Sequence, residues 1–211
     1  SYETDYMDGR TSKANPDLDP ETMKMAELVL EQGLTDRLRC DISVFHYDVA
    51  GLITQTTDPD DGLLVFGNME SATAAGMEVS LRGKIPGRVE AGLSYAYCDA
   101  RDEATDSRLS NSSRHLLKLG AMVPFLSKAL LAAFDVRYMS DRLTPGGAML
   151  DDFVVANLNL TARRILGRFD VSVGVYNLFG ERYASPVGGE YLQNSIEQDG
   201  RSYRLKVTGR F

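Results

Sequence analysis

The sequence predicts an all-β chain, an up-and-down antiparallel transmembrane β-barrel of which about nine to ten strands are present. Three observations predict it. Apolar and polar residues alternate with period two through successive runs, short and long connections take turns between the runs, and the last run keeps its alternation to the final residue, Phe211. Chain ends are ordinarily frayed and polar, because nothing offsets the entropy of ordering them. Here Tyr203, Leu205, Val207, Gly209 and Phe211 share one face, and Arg204, Lys206, Thr208 and Arg210 share the other. A lipid-facing strand with its charges turned to a wet lumen has this pattern. The last strand of a soluble sandwich has it too, so the choice falls to the rest of the chain.

Taken in order, a strand near 22–32 is followed by the short turn Gly33-Leu34-Thr35-Asp36 and a strand at 37–48. In the second of these Leu38, Cys40, Ile42 and Val44 alternate with Arg39, Asp41 and Ser43. A long segment, about 49–71, leads to a strand at 72–83. The tight turn Ile85-Pro86-Gly87-Arg88 joins this to a strand at 88–98, where Val89, Ala91, Leu93, Tyr95 and Tyr97 oppose Glu90, Gly92 and Ser94. Asp99 to Ser113 is a long charged loop, and a strand at about 114–123 follows it. A short turn from Pro124 to Ser127 precedes a strand at 128–139, with Leu130, Ala132, Phe134, Val136 and Tyr138 opposite Asp135 and Arg137. A loop holding Thr144-Pro145-Gly146-Gly147 leads to a strand at 152–163, in which Val154, Ala156, Leu158, Leu160 and Ala162 oppose Asn157, Asn159, Thr161 and Arg163. The short connection Ile165-Leu166-Gly167-Arg168 gives way to a strand at 169–177. A long polar stretch, Gly180 to Gly200, reaches the last strand, 202–211.

The connections therefore run short, long, short, long. Greek-key links in a sandwich have no reason to keep that order. A meander with its two ends in different compartments does, since outer-membrane barrels have short periplasmic turns and longer extracellular loops. Counted back from Phe211 as a periplasmic end, all four short turns fall on one side. Tyr95, Tyr97, Tyr138, Tyr176 and Tyr203 lie close to strand ends, where a girdle at the lipid boundary would place them. Tyrosine favours strands anyway, and the chain has no Trp, so the girdle is minor support.

Composition agrees. With 211 residues and 43% hydrophobic content the chain can bury a core as one domain. Its longest apolar stretches fall short of the 18 residues or more of a transmembrane helix. A net charge of −7 argues against nucleic acid, which needs clustered Lys and Arg to displace counterions. Cys40 and Cys98 match no metal or redox spacing. The polar opening Ser1-Tyr2-Glu3-Thr4-Asp5 does not read as a signal peptide, as expected of a processed start or a piece of a longer protein.

Several segments resemble a known family. Asn15-Pro16-Asp17-Leu18-Asp19-Pro20-Glu21-Thr22, followed by Glu27 and Gly33, resembles the Asn-Pro-x-Leu-x-Pro-Glu box that opens a late barrel strand in TonB-dependent outer-membrane receptors. Ser43-Val44-Phe45-His46-Tyr47-Asp48 with Leu52-Ile53 is similar to their next strand, and Asn68 with Ala75-Gly76-Met77-Glu78 to the segment after it. Ser113-Arg114-His115 with Leu119 resembles the Pro-x-His region, with serine standing where the family has proline. Asn177-Leu178-Phe179-Gly180-Glu181-Arg182-Tyr183 is similar to the Asn-Leu-Phe box, and Phe211 to the terminal aromatic.

The resemblance implies a 22-stranded barrel in the outer membrane of a Gram-negative bacterium, plugged by a separate domain. Nothing in residues 1–211 reads as that plug, so the chain is expected to be the C-terminal part of such a barrel. Implied partners are outer-membrane lipid, TonB acting through the missing plug, and a nutrient chelate of the ferric siderophore or cobalamin class. No enzyme activity and no cofactor is expected. The loops 99–113, 140–151 and 180–200 are the expected ligand contacts, with Arg101, Arg108, Arg142, Arg182, Tyr183 and Tyr191 as partners for an anionic ligand. The loop carboxylates read as solvated charges, a few of which could serve Ca²⁺, and no metal site is expected. A complete small barrel acting as a passive channel is the alternative.

Overall fold

The computed structural model describes residues 10–68, 71–85, 89–126, 129–188 and 191–209. Phe211 lies outside them, as do residues 1–9 of the segment 1–10 in which an extra strand would make the count even. In chain order the strands are β1 (Thr22–Thr35), β2 (Leu38–Ala50), β3 (Ile53–Thr57), β4 (Leu64–Asn68), β5 (Ser71–Ile85) and β6 (Val89–Asp102). There follow β7 (His115–Phe125), β8 (Leu130–Met139), β9 (Arg142–Leu143), β10 (Met149–Leu150) and β11 (Phe153–Ile165). The last are β12 (Phe169–Tyr176), β13 (Ala184–Pro186), β14 (Ser195–Glu197) and β15 (Ser202–Gly209). Nine of them form one antiparallel sheet in the order β1-β2-β5-β6-β7-β8-β11-β12-β15. Every sequence-derived strand is in that sheet, and the alternation of short and long connections holds throughout.

Register settles which face is which. Leu28 pairs with Val44, Val44 with Met77 and Met77 with Tyr97. Farther along, Leu93 pairs with Leu119, Leu119 with Val136, Val136 with Ala156, Leu160 with Val173 and Val173 with Leu205. The opposite face pairs Asp41 with Ser80, Ser80 with Ser94, Ser94 with Lys118 and Lys118 with Arg137. That face is stitched by polar contacts. Arg39 reaches Asp41 at 2.6 Å and Glu31 at 2.7 Å, Asn157 donates to Asp135 at 2.7 Å, and the Thr161 and Ser172 hydroxyls lie 2.9 Å apart.

A sandwich would bury its apolar face under a second layer, and no second layer exists among the described residues. Leu28 is 71% exposed, Leu205 68% and Val207 58%. The buried apolar residues are few: Ala72, Ala100, Phe153, Val155 and Ala156. An apolar face of this extent with nothing on it needs an apolar solvent. The polar face, by parity, is the lumen wall. Gly76 illustrates close fit on that wall: it pairs with Phe45, and a Cβ there would collide with the Phe45 ring and the Tyr97 carbonyl. That is a physical reason for glycine in the Gly76-Met77-Glu78 segment.

The long connections differ from the expected plain loops. Three of them fold into hairpins, β3–β4, β9–β10 and β13–β14. These strands run from two to five residues, too short for a period-two signal to stand out. β5 and β6 also extend farther than expected, to Ile85 and Asp102.

Candidate ligand-facing loop site

The loops are held by a few side chains, several of which stand in the segments that carry the family resemblance. Asn177 ends β12 with a φ of 51°, a conformation that Asn tolerates better than most residues. Its Oδ1 accepts from the Glu181 backbone N–H at 2.8 Å, and its Nδ2 donates to the carbonyls of Glu181 (2.8 Å) and Asp199 (3.3 Å). Its own N–H donates to Asn157 Oδ1 at 2.8 Å. One asparagine thus joins β11 to both ends of the last long connection. On the far side of the sheet, Asn68 donates to the carbonyls of Asp19 and Gly51, and Glu21 accepts from the Ile53 N–H at 2.7 Å. The two-proline box around Asn15 is thereby pinned to the β3–β4 hairpin.

Arg108 and Arg142, both expected as ligand partners, are engaged within the loops. Arg108 donates to Asp141 Oδ2 at 2.6 Å and to the carbonyls of Ser112 and Asp141. It staples the β6–β7 loop to the β8–β9 segment. Arg142 is buried, with Nη2 donating to the Ala184 carbonyl at 2.7 Å. Arg101 donates to Asp99 at 2.8 Å and to Asp106 at 2.9 Å. Arg182 and Tyr191 are exposed, and Tyr183 is half-buried.

Tyr183 and Arg142 meet at the ring of Phe153. The Phe153 and Tyr183 rings stack with centroids 4.2 Å apart, and the guanidinium of Arg142 stands 5.5 Å from the Phe153 centroid. Arg137, inward-facing on β8, stands 5.6 Å from the same ring. Each such contact is worth about 0.5–2 kcal/mol according to its exposure. Neither arginine has an ion pair among the described residues. Arg142 Nε is buried with no hydrogen-bond partner. Burial pushes the Arg142 guanidinium below its ordinary pKa, Arg137 pushes the same way, and Tyr183 opposes them. A guanidinium nonetheless stays protonated. The result is an uncompensated positive centre where the lumen wall meets the loops. The available signal was an inward-facing arginine at the end of a strand.

Tyr183 also lines a cleft of about 540 Å³, together with Asp151, Asp152, Glu181, Arg182 and Glu197 among others. Its carboxylates outnumber its cations, in contrast to the arginine pair. Among the described residues no group of three His, Cys, Asp or Glu converges to hold a metal ion. His115 makes its contact on the outward face, where Nδ1 lies 2.8 Å from Tyr95 Oη.

A one-layer meander with an apolar outer face, a polar inner face and structured loops at one end defines an outer-membrane β-barrel wall. The family model for the TonB-dependent receptor-like β-barrel matches residues 1–178, and the chain belongs to that family. It is accordingly part of an outer-membrane protein of a Gram-negative bacterium. It is 26% identical over 206 residues to the vitamin B12 transporter BtuB of Vibrio vulnificus, spanning 95% of this chain and 32% of that protein. It is likewise 26% identical over 213 residues to an iron-regulated outer membrane virulence protein of Vibrio cholerae, over 90% of this chain and 31% of that one. The chain thus spans about a third of the length of these relatives. Among solved structures, the ferric-catecholate import receptor Fiu from E. coli K12 superposes with a TM-score of 0.73 at 20% identity, over 98% of this chain and 30% of that one. The copper transporter OprC superposes with a TM-score of 0.75 at 20% identity, over 93% and 33%. These likenesses carry the fold.

Proposed function

We propose that this chain supplies the C-terminal part of a 22-stranded, plugged outer-membrane receptor that imports a nutrient chelate of the ferric siderophore or cobalamin class. The observation that carries the reading is the joining of an uncompensated arginine pair to a stacked aromatic pair, Arg137 and Arg142 with Phe153 and Tyr183, at the lumen mouth. Anionic chelate oxygens would meet Arg137 at the inner wall, while Tyr183, Arg182 and Tyr191 meet the ligand from the loops above. Arg108 and Arg101 hold the loops in place. Transport would be driven through TonB acting on the plug.

The test is uptake of radiolabelled ferric siderophores and of cobalamin by cells expressing the complete protein, with and without TonB. Uptake of one of these ligands that is lost without TonB is the expected result. Equal uptake in both strains, with no ligand discriminated, would establish the passive channel instead. Within an active receptor, Arg137→Ala is expected to weaken ligand binding by about 1–3 kcal/mol, the range for losing a charged hydrogen-bond partner. Binding of the labelled ligand to whole cells at low temperature measures it.

A further inference from the structure

We propose that the inner wall of β5 to β8 carries a track for an anionic chelate, a station between the arginines at the mouth and the periplasmic end of the barrel. The track rests on the receptor reading above. A hollow of about 530 Å³ in this wall is lined by Arg82, Lys118 and Arg137 around Gly92 and Gly120. None of the three cations has an ion pair among the described residues. The acid among the described residues that line the hollow is Asp135, which accepts from Asn157 at 2.7 Å. A hollow with a positive balance, opening on an enclosed wet space, concentrates anions. The two glycines mark the same place independently. They pair with each other across β6 and β7 with no break in register, so neither stands at a bulge, and neither has a positive φ. A Cβ at Gly120 would meet nothing within 4 Å. One at Gly92 would make ordinary contacts, 3.7 Å from the Leu81 carbonyl oxygen and 3.9 Å from Arg82 Cγ. Glycine weakens a strand, so a pair that neither conformation nor packing within the chain requires marks close approach by something outside it.

The stagger of the strands gives the station a direction. Arg137 stands two residues from the outer end of β8, and Arg82 three residues from the periplasmic end of β5. Between them Lys118 pairs with Arg137, and Gly92 with Arg82. The hollow therefore descends most of the wall while crossing from β8 to β5. A second hollow, of about 710 Å³, shares Arg82, Gly92, Gly120 and Asp135 with the first and reaches the periplasmic turn at Asp36 and Arg37. Charge balances there. Lys84 lies 3.6 Å from Glu90, and Arg39 is held by Asp41 and Glu31, which leaves Arg37 and Arg82 facing Asp36 and Asp135. An anion is drawn in above and held less below, the order that passage requires. Continuity with Arg137 at the mouth favours the chelate as occupant over a carboxylate of the plug.

The test uses the complete receptor in cells that have TonB, with an iron-radiolabelled triscatecholate as the anionic probe. Binding at low temperature reads the mouth, and the initial rate of uptake on warming reads the passage. R82Q combined with K118Q is expected to leave binding unchanged and to slow uptake about tenfold, as the loss of charged hydrogen-bond partners implies. R82K combined with K118R is expected to restore the rate. G120V puts a branched side chain where the wall has room, and valine suits a strand better than glycine. Its unfolding midpoint is expected to match or exceed that of the unaltered protein while uptake slows. Uptake unchanged in the double glutamine variant or in G120V would overturn the track. Entry into the double variant of a large antibiotic that the outer membrane excludes would overturn it too, by showing that these cations seat the plug. Import of cobalamin or of a neutral ferric trihydroxamate, with none of the anionic probe, would overturn the track and leave the receptor reading standing. Absence of TonB-dependent import of all three would overturn the receptor reading itself, and the track with it.

Discussion

Asn177 makes four hydrogen bonds, three of them through its side-chain amide, which both donates and accepts. Asn177→Ala should destabilise the connection from 178 to 201 by about 1–3 kcal/mol, since the Glu181 N–H and the Glu181 and Asp199 carbonyls would lose partners. Hydrogen exchange in that segment should speed up while exchange in β6 and β7 stays as before. Asn177→Gly restores the backbone freedom without the bonds, so rescue by glycine would show that conformation alone mattered. The importance of this asparagine was legible from its place at the end of an alternating run. The use of the arginines was not. Arg108 finds Asp141 at a sequence distance of 33, and Arg142 finds the Ala184 carbonyl at 42. A loop arginine looks the same in sequence whether it waits for a ligand or staples two loops. The meeting of Phe153 and Arg137 is not visible in the sequence either, because it depends on the register between β8 and β11.

At the scale of elements, the nine sheet strands were legible because alternation and turn chemistry pointed the same way. The hairpin β3–β4 was not, and it depends on a distant contact. Lys13 Nζ lies 2.5 Å from Asp58 and 2.8 Å from Asp61, the two acids that flank the hairpin's turn. Hydrogen bonds from Lys13 hold both carboxyls below the ordinary 3.8, and hydrogen bonds to Asp58 and Asp61 hold Lys13 above the ordinary 10.5. The depressed acids contribute stability that is complete above their unfolded values and is lost as pH falls through their lower folded values. The raised lysine contributes stability that is complete below its unfolded value and is lost as pH rises through its higher folded value. The clip should therefore be indifferent to pH from mild acid to mild alkali and open only beyond those ends. Proteolytic nicking between 58 and 63 across pH measures this. A transition near neutrality would contradict the assignment. All three groups are solvent-accessible, so salt should weaken the clip.

On the scale of the whole molecule, β1 and β15 are the two edges of the sheet and do not pair with each other. Unpaired backbone groups cannot stand in lipid, and open edges recruit other chains. Residues 1–211 refolded alone in micelles should form mixed oligomers, whereas a monodisperse monomer by light scattering would show a closure that the sheet does not possess. The register carries one further consequence. Each of the nine strands bonds only to the sheet strands next before and after it along the chain, with the small hairpins standing between some of them, so the wall is a tape of hairpins rather than a woven cloth. Inserting or removing a hairpin would change the circumference and leave every other pairing intact. Barrel width is then a quantity that duplication can adjust in steps of two strands, without redesign of what is already built.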